Sequence, residues 1–259
     1  MLTADTRPCK YRLGFCLAPG RYVLLENRQP TSSRQNSETI RSSRRPLYRT
    51  RRFPLLAFRR VLWYYFGMKL YLLRCQNIRQ KADHILPLLP QQRRLAYERS
   101  HGGLTLGAGL LLSSVLHVRR DEDLVYGAYG KPFLASGAPC FSLSHSGDHV
   151  LLGVSDHPIG VDMESRNRLV SAAVQKRICL PAEYELDPLT VFTRKECAMK
   201  LTGLGFSLPL QEILTVSEFC WENRTYRFFT TEQSGYVISV LSAEEKLPPI
   251  QELTPEELL

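Results

Sequence analysis

The sequence predicts an α+β fold of two halves, each a helix packed on short antiparallel strands, with a cleft between them. Three observations carry this expectation. Short runs rich in β-branched and aromatic residues recur at 68–74, 141–145, 212–216, 226–231 and 236–241 and around Asp162, bounded by Gly, Pro, Ser or Asp. Two stretches, 104–118 and 189–201, are long enough and apolar enough to be the central helices. At 259 residues and 44% hydrophobic content, the chain can bury one substantial core or two small ones, and no fixed-period repeat interrupts it.

The formal charge of +9 suggests nucleic acid until it is divided along the chain. Residues 1–67 carry 14 Lys and Arg against 3 Asp and Glu, whereas residues 68–259 carry 20 against 22. The globular part is therefore not basic, and nucleic acid is not an expected partner. The Arg-, Ser- and Pro-rich composition of 1–67 cannot offset the entropy of ordering, so a disordered basic extension is expected. It is either an extension upstream of a proper start at Met68 or a targeting leader or arm for an anionic surface. A secretory signal does not fit, because Arg59 and Arg60 break the apolar run near 53–66 and no small-residue cleavage site follows it. Seven dispersed cysteines without a C-x-x-C pair read as reduced thiols of a cytoplasmic protein.

In chain order, the first half is expected over 68–158 and opens with the strand MKLYLLR at 68–74. Residues 78–99 read as helix interrupted by Pro87 and Pro90, with Arg93, Arg94 and Arg99 as a basic face. Gly102 and Gly103 lead into the apolar helix 104–118, which is too short to cross a bilayer and is expected to be buried, so no membrane partner is expected. Loop and strand follow over 121–129. Lys131 then sits in a Gly130-Lys131-Pro132-Phe133 turn that could hold its ammonium as a fixed charge for phosphate. Phe141 and Leu143 begin a strand that closes on Ser144 and His145 before the turn Ser146-Gly147-Asp148. The second half, 159–245, is expected to hold an amphipathic helix at 169–178, a short acidic connection at 181–187, the helix 189–201 and three terminal strands. Beyond it, the acidic tail 246–259 is expected to fray.

Asp162 and Glu164 alternate along a strand, so both project from one face while Val161 and Met163 enter the core. Two like charges about 4 Å apart repel by about 4 kcal/mol at an effective dielectric near 20, so a cation is expected between them. A hard divalent ion suits two carboxylates; a charged strand edge that resists aggregation is the other reading of such a pair. Glu196 and Lys200, four residues apart, share one helix face. A hydrolase built on Ser144 and His145 is excluded, since no G-x-S-x-G elbow is present and adjacent strand residues face opposite ways.

Four segments in order, YGKPF (129–133), FSLSHSGDHVLLGV (141–154), PIGVDMES (158–165) and FTRKECAMKLTGLGFSLPL (192–210), resemble the signatures of the Sfp-type 4′-phosphopantetheinyl transferases. The resemblance covers about 190 residues from Met68 onward. It implies two pseudo-symmetric α+β halves with coenzyme A and Mg²⁺ in the cleft between them. The implied reaction moves the 4′-phosphopantetheine arm of coenzyme A onto a serine of an apo acyl, peptidyl or polyketide carrier protein and releases adenosine 3′,5′-bisphosphate. Asp162, Glu164 and Glu196 fall on the metal-binding carboxylates, with Glu196 also placed as a general base. Lys200 falls on the lysine near the transferred phosphate, and Lys131, Ser144, His145 and Lys195 fall on the coenzyme A-binding positions. Phe192 stands where the family commonly has Trp. A basic residue usual near the start of the apolar helix is missing around Gly103-Leu104, with Arg93, Arg94, Arg99 and His101 as possible substitutes. With both halves in one chain, the resemblance implies a monomer; a catalytically weak relative that only holds coenzyme A is the alternative.

Overall fold

The computed structural model describes residues 67–259, so the expectations for the basic extension lie outside the described residues except at Gly67. In chain order the elements are β1 (Lys69–Arg74), α1 (Ala82–Ile85), α2 (Gln91–Ser100), α3 (Gly103–Val115), β2 (Leu124–Tyr126), β3 (Pro132–Leu134), β4 (Cys140–Ser146) and β5 (His149–Ser155). They continue with β6 (Gly160–Ser165), α4 (Ala172–Ile178), α5 (Pro188–Thr202), β7 (Phe219–Trp221), β8 (Arg224–Gln233), β9 (Tyr236–Ser242), β10 (Ile250–Leu253) and α6 (Pro255–Leu258). Two four-stranded sheets, ordered β10-β1-β5-β4 and β6-β9-β8-β7, form the frame, and β2 and β3 make a separate hairpin.

Side-chain alternation along β1 stacks the layers. Leu73 packs with Leu106, Leu110 and Leu111 of α3, while Leu70 and Leu72 meet Val161, Met163, Ile238 and Val240 of the second sheet. On that sheet's far face, Cys197, Ala198 and Leu201 of α5 pack with Tyr226 and Leu241. The layers thus run α3, first sheet, second sheet, α5. Pro87 lies in a 3₁₀ turn, Leu86–Leu88, and Pro90 caps α2, so the helical stretch is divided where its prolines fall. No helix among the described residues is long and apolar enough to cross a membrane. The described cysteines, Cys75, Cys140, Cys179, Cys197 and Cys220, are free thiols.

Two sequence expectations differ from the structure. Residues 212–216 form no strand. Their neighbourhood is tied instead to a buried ion pair, with Lys195 Nζ donating to the carbonyls of Leu210 and Ile213 and the Thr215 N–H donating to Glu183. Side-chain charges satisfy backbone groups that a ladder would otherwise have used. The acidic connection 181–187 accordingly begins with a 3₁₀ turn, Pro181–Glu183, whose Glu183 is fully buried. The tail does not fray either: β10 pairs in parallel with β1, Leu70 opposite Ile250 through Leu73 opposite Leu253, and Leu253 joins the first core.

Candidate active site

Strand β6 crosses the backbone of α5 at Gly160. A Cβ there would run into the carbonyl oxygen of Cys197 and stand 2.9 Å from the Leu201 amide nitrogen. Only glycine permits this approach, which sets Asp162 two residues on against the helix face that carries Lys200. Lys200 Nζ donates to Asp162 Oδ1 at 2.7 Å. The Ser144 hydroxyl donates to the same oxygen at 2.7 Å. Asp162 is 4% exposed, and among the described residues its Oδ2 is a buried side-chain oxygen with no hydrogen-bond partner. A buried carboxylate oxygen left bare costs free energy unless something not made of protein meets it.

Glu164, next on that face of β6, pairs with Arg168 through Oε1 and accepts from the Ser146 hydroxyl at Oε2, 3.0 Å away. The Arg168 guanidinium lies over the Phe192 ring, 4.5 Å from its centroid. The aromatic position of the helix therefore supports a partner of Glu164, and Phe retains that face without the indole N–H. Glu196 lies within electrostatic reach of the whole group. Burial raises its carboxyl above the ordinary range, the charges of Asp162 and Glu164 raise it further, and Lys200 and Arg168 oppose them.

The remaining expected residues divide. Lys131 reaches from the β2–β3 hairpin to the end of α5, where Nζ donates to the Leu201 carbonyl at 2.8 Å and its stem lies against Gly203. Burial lowers its ammonium from 10.5 to about 8. His145 is exposed beside the β4–β5 turn. Ser144 is buried, and its hydroxyl is engaged by Asp162 and the Met163 N–H rather than open to a phosphate. Lys195 is a correction. Its side chain is 1% exposed and pairs with Glu183 at 3.2 Å beneath α5, away from any surface a coenzyme could reach. Residue 195 lies one position off the Glu196–Lys200 face, and about 100° of helix rotation turns it inward.

A cavity of about 380 Å³ opens between the start of α3 and the β4–β5 turn, lined by Arg79, Gly103, Leu104, Gly147 and Asp148 among others. Arg79 is a basic side chain there, whereas Arg94, Arg99 and His101 are exposed on or just beyond α2. Arg79 is far from Gly103 in sequence and approaches the cavity from the turn after β1, so no local pattern near α3 announces it. Among the described residues no set of three His, Cys, Asp or Glu side chains is already gathered as a metal-binding group. Two carboxylates with substrate phosphates and water are nonetheless how Mg²⁺ is usually held, so the donor set and the bare Asp162 oxygen fit that ion.

No family model matches the chain. Among curated proteins it is similar to the 4′-phosphopantetheinyl transferase psf-1 of Bacillus pumilus, 29% identical over 168 residues, which cover 56% of this chain and 71% of that protein. It is similar to the 4′-phosphopantetheinyl transferase ffp of Bacillus subtilis, 26% identical over 200 residues, covering 65% and 88%. The 4′-phosphopantetheinyl transferase Sfp of Bacillus subtilis (strain 168) is 29% identical over 143 residues, covering 49% and 63%.

Proposed function

We propose, from its similarity to several curated 4′-phosphopantetheinyl transferases, that the chain is a transferase of the Sfp type that moves the phosphopantetheine arm of coenzyme A onto a serine of an apo acyl, peptidyl or polyketide carrier protein. The observation that carries this reading is the bare, buried Oδ2 of Asp162, set beside Glu164, Glu196 and Lys200. Asp162 and Glu164 would hold Mg²⁺ at this point. When bound, the ion neutralises charge on the pyrophosphate oxygens and on the departing phosphate.

The chain's own residues do the rest. The carrier serine oxygen forms a bond to the phosphorus that carries the pantetheine arm, the pyrophosphate P–O bond breaks, and adenosine 3′,5′-bisphosphate leaves with the electron pair. Glu196 takes the serine proton, directly or through water, and its raised carboxyl supports that role; serving as the third metal ligand is its other possible part. Lys200 is already oriented by Asp162 and stabilises the oxygens of the group in transfer. Lys131 and Arg79 supply positive charge toward the coenzyme phosphates, and His145, exposed beside the β4–β5 turn, supplies a ring N–H. Two pseudo-symmetric halves, one per sheet, a working monomer and a cytoplasmic setting complete the proposal.

The test is the intact mass of an apo carrier protein after incubation with this protein, coenzyme A and Mg²⁺. A gain of one phosphopantetheine arm, absent with EDTA and with Asp162→Ala, is the expected result. No gain across acyl, peptidyl and polyketide carriers, with coenzyme A still bound, would replace transfer by simple retention of the coenzyme.

A further inference from the structure

Strands β4 and β6 are edges of different sheets, yet they run side by side. What joins them is a row of side chains. The N–H groups of Val161, Met163 and Ser165 donate to the hydroxyl oxygens of Ser142, Ser144 and Ser146 at 3.1, 3.2 and 3.1 Å. A hydroxyl has one proton and two lone pairs, so a serine that accepts from an N–H still has its proton to give. Ser144 gives it to Asp162 Oδ1 and Ser146 to Glu164 Oε2. An ionised carboxylate can only accept, which fixes the direction of both relays from backbone to hydroxyl to carboxylate.

We infer that Ser144 and Ser146 are positioning residues for the acidic pair: the seam that joins the sheets also aims the two carboxylates. Oδ1 of Asp162 is saturated by Ser144 and Lys200, so the carboxylate presents Oδ2 as its open oxygen. Glu164 is held from two sides, by Ser146 and Arg168. Turning either carboxylate would break these bonds, so the acidic pair, with Oδ2 of Asp162 unpartnered, is held in place before any ligand arrives. Ser142 makes the same backbone contact as the other two but no bond to Asp162 or Glu164, and so separates seam-holding from aiming.

This inference rests on the metal-dependent transferase reading. The experiment is calorimetric titration of coenzyme A into the full chain with and without Mg²⁺, giving the gain in affinity that the metal confers. In Ser144→Ala and Ser146→Ala the gain falls about tenfold or more, the effect expected of a residue that orients a metal ligand, while affinity without Mg²⁺ is unchanged. Ser142→Ala keeps the full gain although its melting temperature falls like theirs. Ser146, at the less buried end of the seam, keeps the test readable should Ser144→Ala fail to fold. An undiminished gain in both variants, or an equal loss in Ser142→Ala, would overturn the inference. So would weaker binding without metal in Ser144→Ala, which would make Ser144 a direct coenzyme contact. A wild-type protein with no gain from Mg²⁺ would instead remove the metal-centre reading itself.

Discussion

Asp162, Glu164, Glu196 and Lys200 were legible because strand and helix periods alone put each pair on one face. Lys195 was not, because nothing in an acidic stretch announces that Glu183 is the one carboxylate that goes inside. Burial pushes the Glu183 carboxyl up, but Thr215, two backbone N–H groups and Lys195 outweigh it and hold it below the usual range. Removing one member of such a pair strands the other charge in the interior. Lys195→Met should therefore cost about 3–5 kcal/mol of stability, read by denaturant unfolding, and Glu183→Leu added to it should restore part of the loss. A coenzyme-contacting Lys195 would instead leave stability unchanged and weaken binding. Lys131 gives a pH-dependent counterpart. Its ammonium is lowered from 10.5 to about 8, so burial of the charged form opposes folding at neutral pH. The unfolded chain binds more protons between those values, so stability attributable to Lys131 rises with pH across that window. Wild-type protein should accordingly gain on Lys131→Met from pH 8 to pH 10.5 in parallel denaturant titrations; a constant difference would place the ammonium in solvent.

At the level of elements, strands and helices that announce themselves by a local period were readable, and those fixed by distant partners were not. The run 212–216 has strand-like composition, but Ile213 and Thr215 are buried against α5 and Glu183, whose contacts no local window contains. β10 was hidden because only Ile250 and Leu253 carry its apolar signal, with Gln251 and Glu252 exposed between them. The crossing of β6 on α5 is the element-level contact on which the site depends. Gly160→Ala would force strand and helix backbones apart, an overpacking cost of about 1–3 kcal/mol. It should also lengthen the Lys200–Asp162 contact, so transfer should fall more steeply than the melting temperature alone accounts for. Activity and unfolding measured on one preparation would separate the two effects, and a variant with both unchanged would contradict the close packing.

Across the whole molecule, the mixed α+β character was readable from the order of elements, while the way the sheets are joined was not. The alternating serines of 142–146 look like ordinary polar positions on a strand until the second sheet is set beside them. The closing strand has a comparable long-range role, since Leu253 belongs to the same core as Leu73 and α3. Removing residues 246–259 should lower the melting temperature markedly and expose apolar surface to a hydrophobic dye; a truncated protein that melts like the full chain would show that β10 contributes nothing. The parallel pairing of Leu70 with Ile250 also bears on how the protein is made. At about 5–20 residues per second, roughly ten to forty seconds of translation separate β1 from its outer neighbour. Throughout that interval one margin of the nascent first sheet stands open, in a segment of leucines and a tyrosine well suited to pairing with the wrong chain. The polypeptide is thus exposed to mispairing for as long as β10 is missing, and a chaperone that shields that margin until β10 emerges should raise the yield of native protein.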